Sequence, residues 1–188
     1  MRLNAPRIEP LDLDALDDAQ IDALAPLIGA GRVLNIFRTL AHAPQALERF
    51  LQWGTYVLSK RNSLSARDRE LAVLRTGFNC KAGYEWTQHV VIGREAGLTE
   101  IEIERIKQGP DAEGWEERDR TILRVADDLT TDFFVSTTNW TALEFLTDRQ
   151  KMDLIFTVGQ YTQVSMFLNS FGVQLDPGQS LDPSLKVF

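Results

Sequence analysis

Residues 67–97 read RDRELAVLRTGFNCKAGYEWTQHVVIGREAG. Apolar residues recur at helical spacing on both sides of residues 81–83, so this stretch predicts two helices joined by a short turn. It also contains His89, one of two histidines in the chain, and the single cysteine, Cys80. Glu85 lies four residues before His89, so the two side chains share one face of the second helix. This helix pair is where we look first for function.

The composition is that of one globular domain. The chain has 188 residues, of which 44% are hydrophobic and 25% charged, and its net charge is −7. An acidic chain of this kind argues against a nucleic-acid partner or an anionic membrane surface, since both require clustered Lys and Arg. The acidic N-terminus, interrupted by Pro6 and Pro10, does not resemble a signal peptide, and no apolar run approaches the ~20 residues of a membrane span. With one cysteine and no sign of an oxidising compartment, we expect a cytoplasmic protein.

The remaining chain also has a helical pattern, and no segment alternates with the period of a strand. The sequence therefore predicts an all-α fold, a single-domain helical bundle. Prolines near the start predict an extended N-terminal arm over residues 1–16. The helical domain is expected over residues 17–176, and residues 177–188 are expected to form an irregular tail.

Capping residues mark several helix boundaries. A hydroxyl residue followed three positions later by Asp, Glu or Gln predicts the start of a helix. Gly97 is placed to end the second motif helix in the left-handed conformation. The predicted starts are Ser65 with Asp68, Thr99 with Glu102, and Thr147 with Gln150.

His89 is the main candidate for chemistry. A lone helical histidine is by default a structural hydrogen-bonding residue, but Glu85 one turn away is expected to accept a hydrogen bond from one ring nitrogen. That would fix the tautomer and leave the other nitrogen to move a proton. Glu70, on the preceding helix, is a second candidate acid/base. The plain alternatives are that Glu70 pairs with a nearby arginine (Arg67, Arg69 or Arg75) on the helix surface, and that Glu85 is a solvated first-turn carboxylate.

Aromatic and polar residues near these positions are candidates for pocket lining. Tyr84 and Trp86 flank Glu85 and either pack or line a pocket. The final helix carries several polar residues among large apolar ones, and such residues satisfy backbone groups or face a pocket or a subunit contact. They are Gln160, Tyr161, Gln163, Ser165 and Asn169. We select Tyr161 as a pocket residue, whereas His42, without an acid at helical spacing, is expected to be structural.

Metal and thiol chemistry are less well supported. Glu85 and His89 have the spacing of metal ligands, but no second such pair or clustered histidine accompanies them, so we expect no metal. Cys80 has no partner for a dithiol cycle within the chain. At the end of a helix it also lacks the positive dipole that activates thiols at helix N-termini. We expect it to be a buried structural thiol.

Several motifs together resemble the carboxymuconolactone decarboxylase superfamily, which includes the alkyl hydroperoxidase D peroxidases. They are R-x-R-E-L-A-V-L-R at 67–75, Y-E-W-x-x-H at 84–89, G-L-T-x-x-E-I at 97–103, N-I-F-R-T-L-A-H at 35–42 and W-T-A-L at 140–143. The resemblance implies an all-α bundle of the alkyl hydroperoxidase D-like type. It also implies a homo-oligomer, from dimer to trimer or hexamer, with the site near helix and subunit contacts.

The chain departs from the peroxidase members at their cysteines. Those members carry a Glu, a C-x-x-C pair, and a His four residues after the second cysteine. Counted back from His89, Glu70 occupies the glutamate position, but Ala82 and Glu85 occupy the cysteine positions, and Cys80 matches neither. Peroxidase chemistry through that dithiol is therefore excluded. The E-x-x-x-H pair is similar to the decarboxylase members, in which a lactone loses a carboxylate and a carbon is reprotonated.

The resemblance leads to a decarboxylase-like, or more broadly lyase- or isomerase-like, proton-transfer enzyme acting on a small lactone or unsaturated carboxylic acid. We expect His89 to donate the proton, Glu85 to orient it and Glu70 to serve as a second acid/base. Arg75 is expected to anchor a substrate carboxylate, and no organic cofactor is implied. Two alternatives remain open: a non-catalytic oligomeric protein that binds a small molecule, and a residual peroxidase that uses Cys80 with an external thiol.

Overall fold

The computed structural model describes residues 1–31 and 33–186, and within them the regular structure is helical with no β-strand. The prediction of an all-α fold is confirmed. The helices are α1 (Asp18–Gly29), α2 (Asn35–Leu40), α3 (Pro44–Leu58), α4 (Ala66–Asn79), α5 (Gly83–Glu95), α6 (Glu100–Gln108), α7 (Glu117–Thr131), α8 (Thr137–Ala142) and α9 (Asp148–Phe171). Short 3-10 turns occupy Leu13–Ala15, Leu143–Phe145 and Pro183–Leu185.

Helix α4 is the central helix of the bundle. It packs against α5, α7 and α9, and it also contacts α6. Four consecutive residues on it, Leu71 to Leu74, are fully buried, so neighbours cover this helix on every side. A helix that is enclosed in this way buries whatever polar side chains it carries, and these must then find partners within the protein.

Two apolar clusters meet at the helix pair α4–α5. The larger contains Leu74, Leu123 and Leu154 and joins α4 to α7 and α9. The smaller contains Tyr84 and Tyr161 and joins α5 and α9 to α2 and α3. Glu85 and His89, both on α5, are buried ionisable side chains, at 4% and 5% exposed.

Two glycines allow α4 and α5 to approach closely. A Cβ atom added to Gly93 would lie 3.2 Å from side-chain atoms of both Leu74 and Leu98. One added to Gly77 would lie 3.4 Å from Cγ of Glu85. The turn between the helices passes through Lys81, whose φ is +57°. This close approach brings side chains of α4 within hydrogen-bond reach of side chains of α5.

The predicted helix starts are present, and one of them differs in detail. Thr99 and Thr147 form capping boxes with both reciprocal bonds. The Ser65 hydroxyl accepts from the backbone N–H of Asp68 at 3.0 Å, but the Asp68 carboxylate pairs with Arg118 at 2.6 Å and makes no return bond to Ser65. Gly97 has a φ of +94°, as its predicted left-handed role requires.

The segments before α1 and after α9 lie against the same chain. The backbone N–H groups of Arg7 and Ile8 donate to the carbonyl oxygen of Phe171 at 2.8 and 3.2 Å. Asp176, five residues after the end of α9, accepts from the backbone N–H of Asn35 at 2.8 Å and from the hydroxyl of Tyr84 at 2.6 Å. Both segments are therefore attached to the bundle at these residues. Over the described residues, no helix combines the length and the apolar character needed to cross a membrane.

Candidate active site

Three ionisable side chains meet where α4 and α5 are in contact. Nδ1 of His89 lies 2.7 Å from Oε2 of Glu70, and Nε2 of His89 lies 3.0 Å from Oε1 of Glu85. The exposed fractions are 0% for Glu70, 4% for Glu85 and 5% for His89. A buried imidazole is thus held between two buried carboxylates, one from each helix.

Glu85 lies at one ring nitrogen, as expected, but the other nitrogen is not free, because Glu70 lies next to it. We expected Glu85 to orient the ring and to leave one nitrogen without a carboxylate, but both ring nitrogens face one. Glu70 reaches Nδ1 of His89 because Gly93, one turn after His89, has no side chain and lets α4 approach α5 closely. Burial also excludes the two plain alternatives, in which Glu70 formed a surface salt bridge and Glu85 was solvated.

The carboxylates favour the protonated form of His89. Burial by itself lowers the pKa of this imidazole, but the charges of Glu70 and Glu85 and the contacts with them outweigh it and raise the pKa to about 10. At neutral pH the ring is therefore an imidazolium. Such a ring donates protons and does not accept them.

A fourth charge completes the buried group. Nε of Arg69 lies 3.4 Å from Oε1 of Glu70, and the Arg69 side chain is largely buried. The group of two carboxylates, one guanidinium and one imidazolium therefore carries no net charge. Of the three arginines considered as partners for Glu70, Arg67 instead pairs with Asp119 at 2.6 Å, and Arg75 pairs with Asp127.

The site opens into a cavity of about 440 Å³ between α1, α2, α3, α5 and α9. Glu85 and His89 contribute to its wall, whereas Glu70 lies behind the ring of His89 and does not. Most of the wall is apolar, as is typical of small-molecule sites. The apolar side chains are Leu27, Leu34, Ile36, Phe37, Phe50, Leu51, Leu58, Ile92 and Val164. The other polar ones are Thr55, Ser59, Tyr84, Gln88, Gln160 and Tyr161.

Tyr161 and Tyr84 lie where pocket residues were predicted. The ring of Tyr161 meets that of His89 edge-on, with centroids 4.7 Å apart and planes at 79°. Burial, reinforced by Glu85 and Glu70, raises the pKa of Tyr161 well above its ordinary value, so its hydroxyl stays protonated. The Tyr84 hydroxyl donates to Oδ2 of Asp176 at 2.6 Å.

Arg75 and Trp86 do not lie at the cavity, contrary to prediction. The guanidinium of Arg75 binds both oxygens of Asp127, at 2.5 and 2.9 Å, and donates to the carbonyl of Ile106 at 2.8 Å. Arg75 therefore ties α4 to α6 and α7 on another face and is not placed to anchor a substrate. Trp86 packs in the larger apolar cluster, where its ring centroid lies 5.6 Å from that of Phe78.

Cys80 lies outside the group. It follows the end of α4 and is partly buried, and burial raises the pKa of its thiol. A thiol of this kind is a poor nucleophile at neutral pH. The other histidine, His42, contacts the carbonyl oxygen of Glu9 at 3.0 Å, which agrees with a structural role. Over the residues that the structure describes, no group of three or more His, Cys, Asp and Glu is arranged to hold a metal ion.

Gln160 is a cavity residue to which sequence reasoning gave no role. It was one of several polar residues on an apolar helix, and spacing along one helix does not show which of them lack a partner. The structure places it one residue before Tyr161 on the cavity wall, 5% exposed. The only signal in the sequence was its polarity in an apolar segment.

Solved structures share this fold. The core of an AhpD alkylhydroperoxidase, a peroxidase-related protein from Ralstonia eutropha JMP134, is 21% identical; the match covers 92% of this chain and 93% of that one, with a TM-score of 0.77. A peroxidase-related protein from Silicibacter sp. TM1040 is 16% identical, with 93% and 95% covered and a TM-score of 0.75. The debrominase Bmp8 is 10% identical, with 90% and 92% covered and a TM-score of 0.71. At such identities the likeness shows the fold alone.

The bundle is that of an AhpD-like helical protein, and it contains a buried carboxylate–imidazole–carboxylate group and no C-x-x-C pair. Residues 44–128 match the model of the carboxymuconolactone decarboxylase family, so this segment of the chain is similar to that family. The matched segment contains Glu70, Glu85 and His89. Among curated proteins, none matches the chain significantly.

Proposed function

We propose that this protein is an acid/base enzyme that moves a proton on a small, largely apolar lactone or unsaturated carboxylic acid. One observation carries the proposal: His89, held between Glu70 and Glu85, forms part of the wall of an apolar cavity of about 440 Å³. Acid/base groups in a dry cavity are the usual means of moving a proton next to a carbonyl group. The superfamily match supports a decarboxylation or a related lyase or isomerase step.

We assign each group a role from its charge and its position relative to the cavity. Glu85 is the carboxylate at the cavity wall, so it is the base that takes a proton from the carbon next to the substrate carbonyl. The electron pair of that C–H bond moves into the carbonyl group. The imidazolium of His89 stabilises the charge that forms and supplies or returns a proton to carbon, while Glu70 holds Nδ1 in place. In a decarboxylation, the bond to CO₂ breaks in place of the C–H bond, and His89 reprotonates the carbon.

Hydrogen–deuterium exchange tests this proposal and does not require the product to be identified. A panel of butenolides and unsaturated acids is incubated with the protein in D₂O, and deuterium at the carbon next to the carbonyl is followed by proton NMR. We expect Glu85→Gln and His89→Gln each to slow exchange by about 10²–10⁴-fold, the range of general acid–base catalysis. His42→Gln, at the other histidine, is the matched control and should keep the wild-type rate.

A binding-only function is the second candidate, and it has one observation in its favour. Both nitrogens of His89 already have carboxylate partners, as in a structural group. Under that function, compounds bind in the cavity, but the wild type exchanges no faster than His89→Gln. That outcome would reject the acid/base proposal.

We also propose that the protein forms a homo-oligomer. Large apolar side chains are exposed at the connection between α7 and α8, where Phe133 is 75% and Phe134 63% exposed, with Trp140 close by on α8. Contiguous exposed apolar groups commonly mark protein interfaces. Light scattering after gel filtration should give a mass above that of the monomer, and the double variant Phe133→Ser/Phe134→Ser should lower it. A monomeric wild type would contradict the proposal.

A further inference from the structure

We infer that the cavity selects an uncharged carbonyl compound, whose carbonyl oxygen is bound by the side-chain amide of Gln160. This inference rests on the proposed function because it concerns the same cavity. It removes the unsaturated acids from the proposed substrates and selects neutral carbonyl compounds, which include neutral lactones, esters and amides. It also makes Gln160 the residue that sets specificity.

The first observation is that the Gln160 side chain is buried at the cavity wall, 5% exposed, and that its amide has no hydrogen-bond partner among the described residues. Gln88 differs, since its Nε2 donates to Asp176 at 2.9 Å and to Gln179 at 3.2 Å. The amide atoms of Gln160 are not among the fully enclosed polar atoms that lack a partner, so they are accessible from the cavity. An amide placed in this way forms its hydrogen bonds with whatever occupies the cavity.

The second observation is that α3 leaves space beside this amide. Gly54 faces it, and a Cβ atom added to Gly54 would lie 3.9 Å from Nε2 of Gln160. That distance is an ordinary contact, so larger side chains at this position would occupy the space next to the amide. The glycine therefore keeps the approach to Gln160 open for a ligand group.

The third observation concerns charge. Among the described residues that line the cavity, none is Lys or Arg, and Glu85 is the carboxylate there. Arg75 is bound by Asp127, and Arg69 contacts Glu70 behind the imidazole. A substrate carboxylate in this cavity would lose its hydration, face Glu85 and gain no cationic partner, since His89 is already shared between two carboxylates. A neutral carbonyl group meets none of these penalties.

A neutral substrate limits the reaction as well. A substrate without a carboxylate cannot undergo decarboxylation. Of the proposed reactions, the isomerisation that shifts a double bond is then the one that fits. Glu85 takes a proton from the carbon on one side of the unsaturated carbonyl system, and the electron pair enters that system. The same proton is returned to the carbon at its far end, so the double bond moves and no oxidant, reductant or other co-reactant is consumed. Gln160 binds the oxygen on which charge accumulates.

Three probes with one skeleton test the inference by binding alone: cinnamamide, methyl cinnamate and cinnamate, measured by isothermal titration calorimetry at pH 7.5. We expect the amide and the ester to bind the wild type at least tenfold more tightly than the anion. Gln160→Leu keeps the volume but removes the amide, and it should weaken both neutral probes by about tenfold, the effect of one lost hydrogen bond to a buried group. Gln163→Leu, on the exposed side of the same helix, is the matched control and should bind as the wild type.

Three results would overturn the inference: cinnamate binding as tightly as the neutral probes, Gln160→Leu binding them within twofold of the wild type, or neither neutral probe binding up to its solubility limit. Thermal unfolding of both variants verifies that they are folded. Because binding is measured without turnover, failure here is distinct from failure of the exchange experiment. Gln160-dependent binding without exchange rejects the acid/base reaction and leaves the recognition of a neutral carbonyl standing.

Discussion

Glu70 and His89 are joined by a 2.7 Å contact that crosses from the central helix of the bundle to the helix that lines the cavity. Glu70 is fully buried and has Arg69 as its other charged neighbour. The contact therefore belongs to the core of the fold and to the site at once. Its loss should affect stability as well as chemistry.

We predict that Glu70→Ala lowers the free energy of unfolding by about 3–5 kcal/mol, because it leaves His89 and Arg69 buried without their shared carboxylate. Urea denaturation followed by circular dichroism measures the change. Glu104→Ala is the control. The Glu104 carboxylate is mostly exposed and pairs with Lys107, and surface pairs of this kind contribute about 0–1 kcal/mol. Equal effects of the two substitutions would mean that Glu70 is not a core partner.

The protonation of His89 should make stability depend on pH. Its pKa is raised to about 10 in the folded protein, above the value of about 6.5 expected in the unfolded chain. The contribution of the imidazolium is therefore complete below about pH 6.5 and is lost as the pH rises through about 10. Unfolding free energies of the wild type should fall across this window, whereas those of His89→Gln should lack that component.

Nitrogen NMR observes the same ring directly. In a His42→Asn background only His89 contributes imidazole signals. At pH 8 both of its nitrogens should have the chemical shifts of a protonated imidazolium. A spectrum with one protonated and one bare nitrogen would show that the carboxylates do not hold the proton on the ring.

Gly93→Ala should be destabilising although alanine is the better helix former. The added Cβ atom would lie 3.2 Å from methyl groups of Leu74 and Leu98, so these two buried side chains would have to shift by a few tenths of an ångström, at a cost of about 1–3 kcal/mol. Gly159→Ala on α9 is the matched control, because nothing lies within 4 Å of its added Cβ atom, and it should stabilise by about 0.5–1 kcal/mol.

Arg75→Met should affect stability and leave ligand binding unchanged. The guanidinium binds Asp127 and the carbonyl of Ile106 on a face of the bundle that is not the cavity. Removing it leaves the partly buried Asp127 carboxylate unpaired, at a cost of about 2–4 kcal/mol. Binding of cinnamamide should stay within twofold of the wild type. A selective loss of affinity for cinnamate would instead restore Arg75 as a carboxylate anchor.

Cys80→Ser should leave any activity intact. The thiol lies outside the group around His89, and burial raises its pKa. We expect the wild type to reduce alkyl hydroperoxides no faster than Cys80→Ser when an external thiol is supplied. A peroxidase rate that falls in Cys80→Ser would support the residual peroxidase alternative and count against the acid/base one.

Local signals in the sequence were sufficient for the fold. Hydroxyl N-caps and Gly97 marked helix ends, because capping depends on residues a few positions apart. The pairing of Glu85 with His89 followed from one turn of helix. The identity of the residue at Nδ1 did not, since it depends on how closely two helices approach, and that distance is set by Gly93.

The expectation that Arg75 and Trp86 would line the cavity was wrong for geometric reasons. Arg75 follows Glu70 by five residues, which is about 140° around a helix, so both cannot face one cavity. Trp86 follows Glu85 directly and is about 100° from it, which turns it toward the larger apolar cluster. Helical spacing contained this information. The unpaired amide of Gln160 was different, because a missing partner is visible only in three dimensions.

Asp176 connects the segment that follows α9 to the cavity wall. Its two oxygens hold the start of α2 through Asn35 and two cavity residues through Tyr84 and Gln88. The segment around Asp176 therefore joins parts of the cavity wall. The ordering of this segment and the binding of a ligand in the cavity are thermodynamically linked. A ligand that fixes Tyr84 and Gln88 would also slow proteolytic cleavage after α9, so protease resistance of this segment reports on an occupied cavity before any substrate is known.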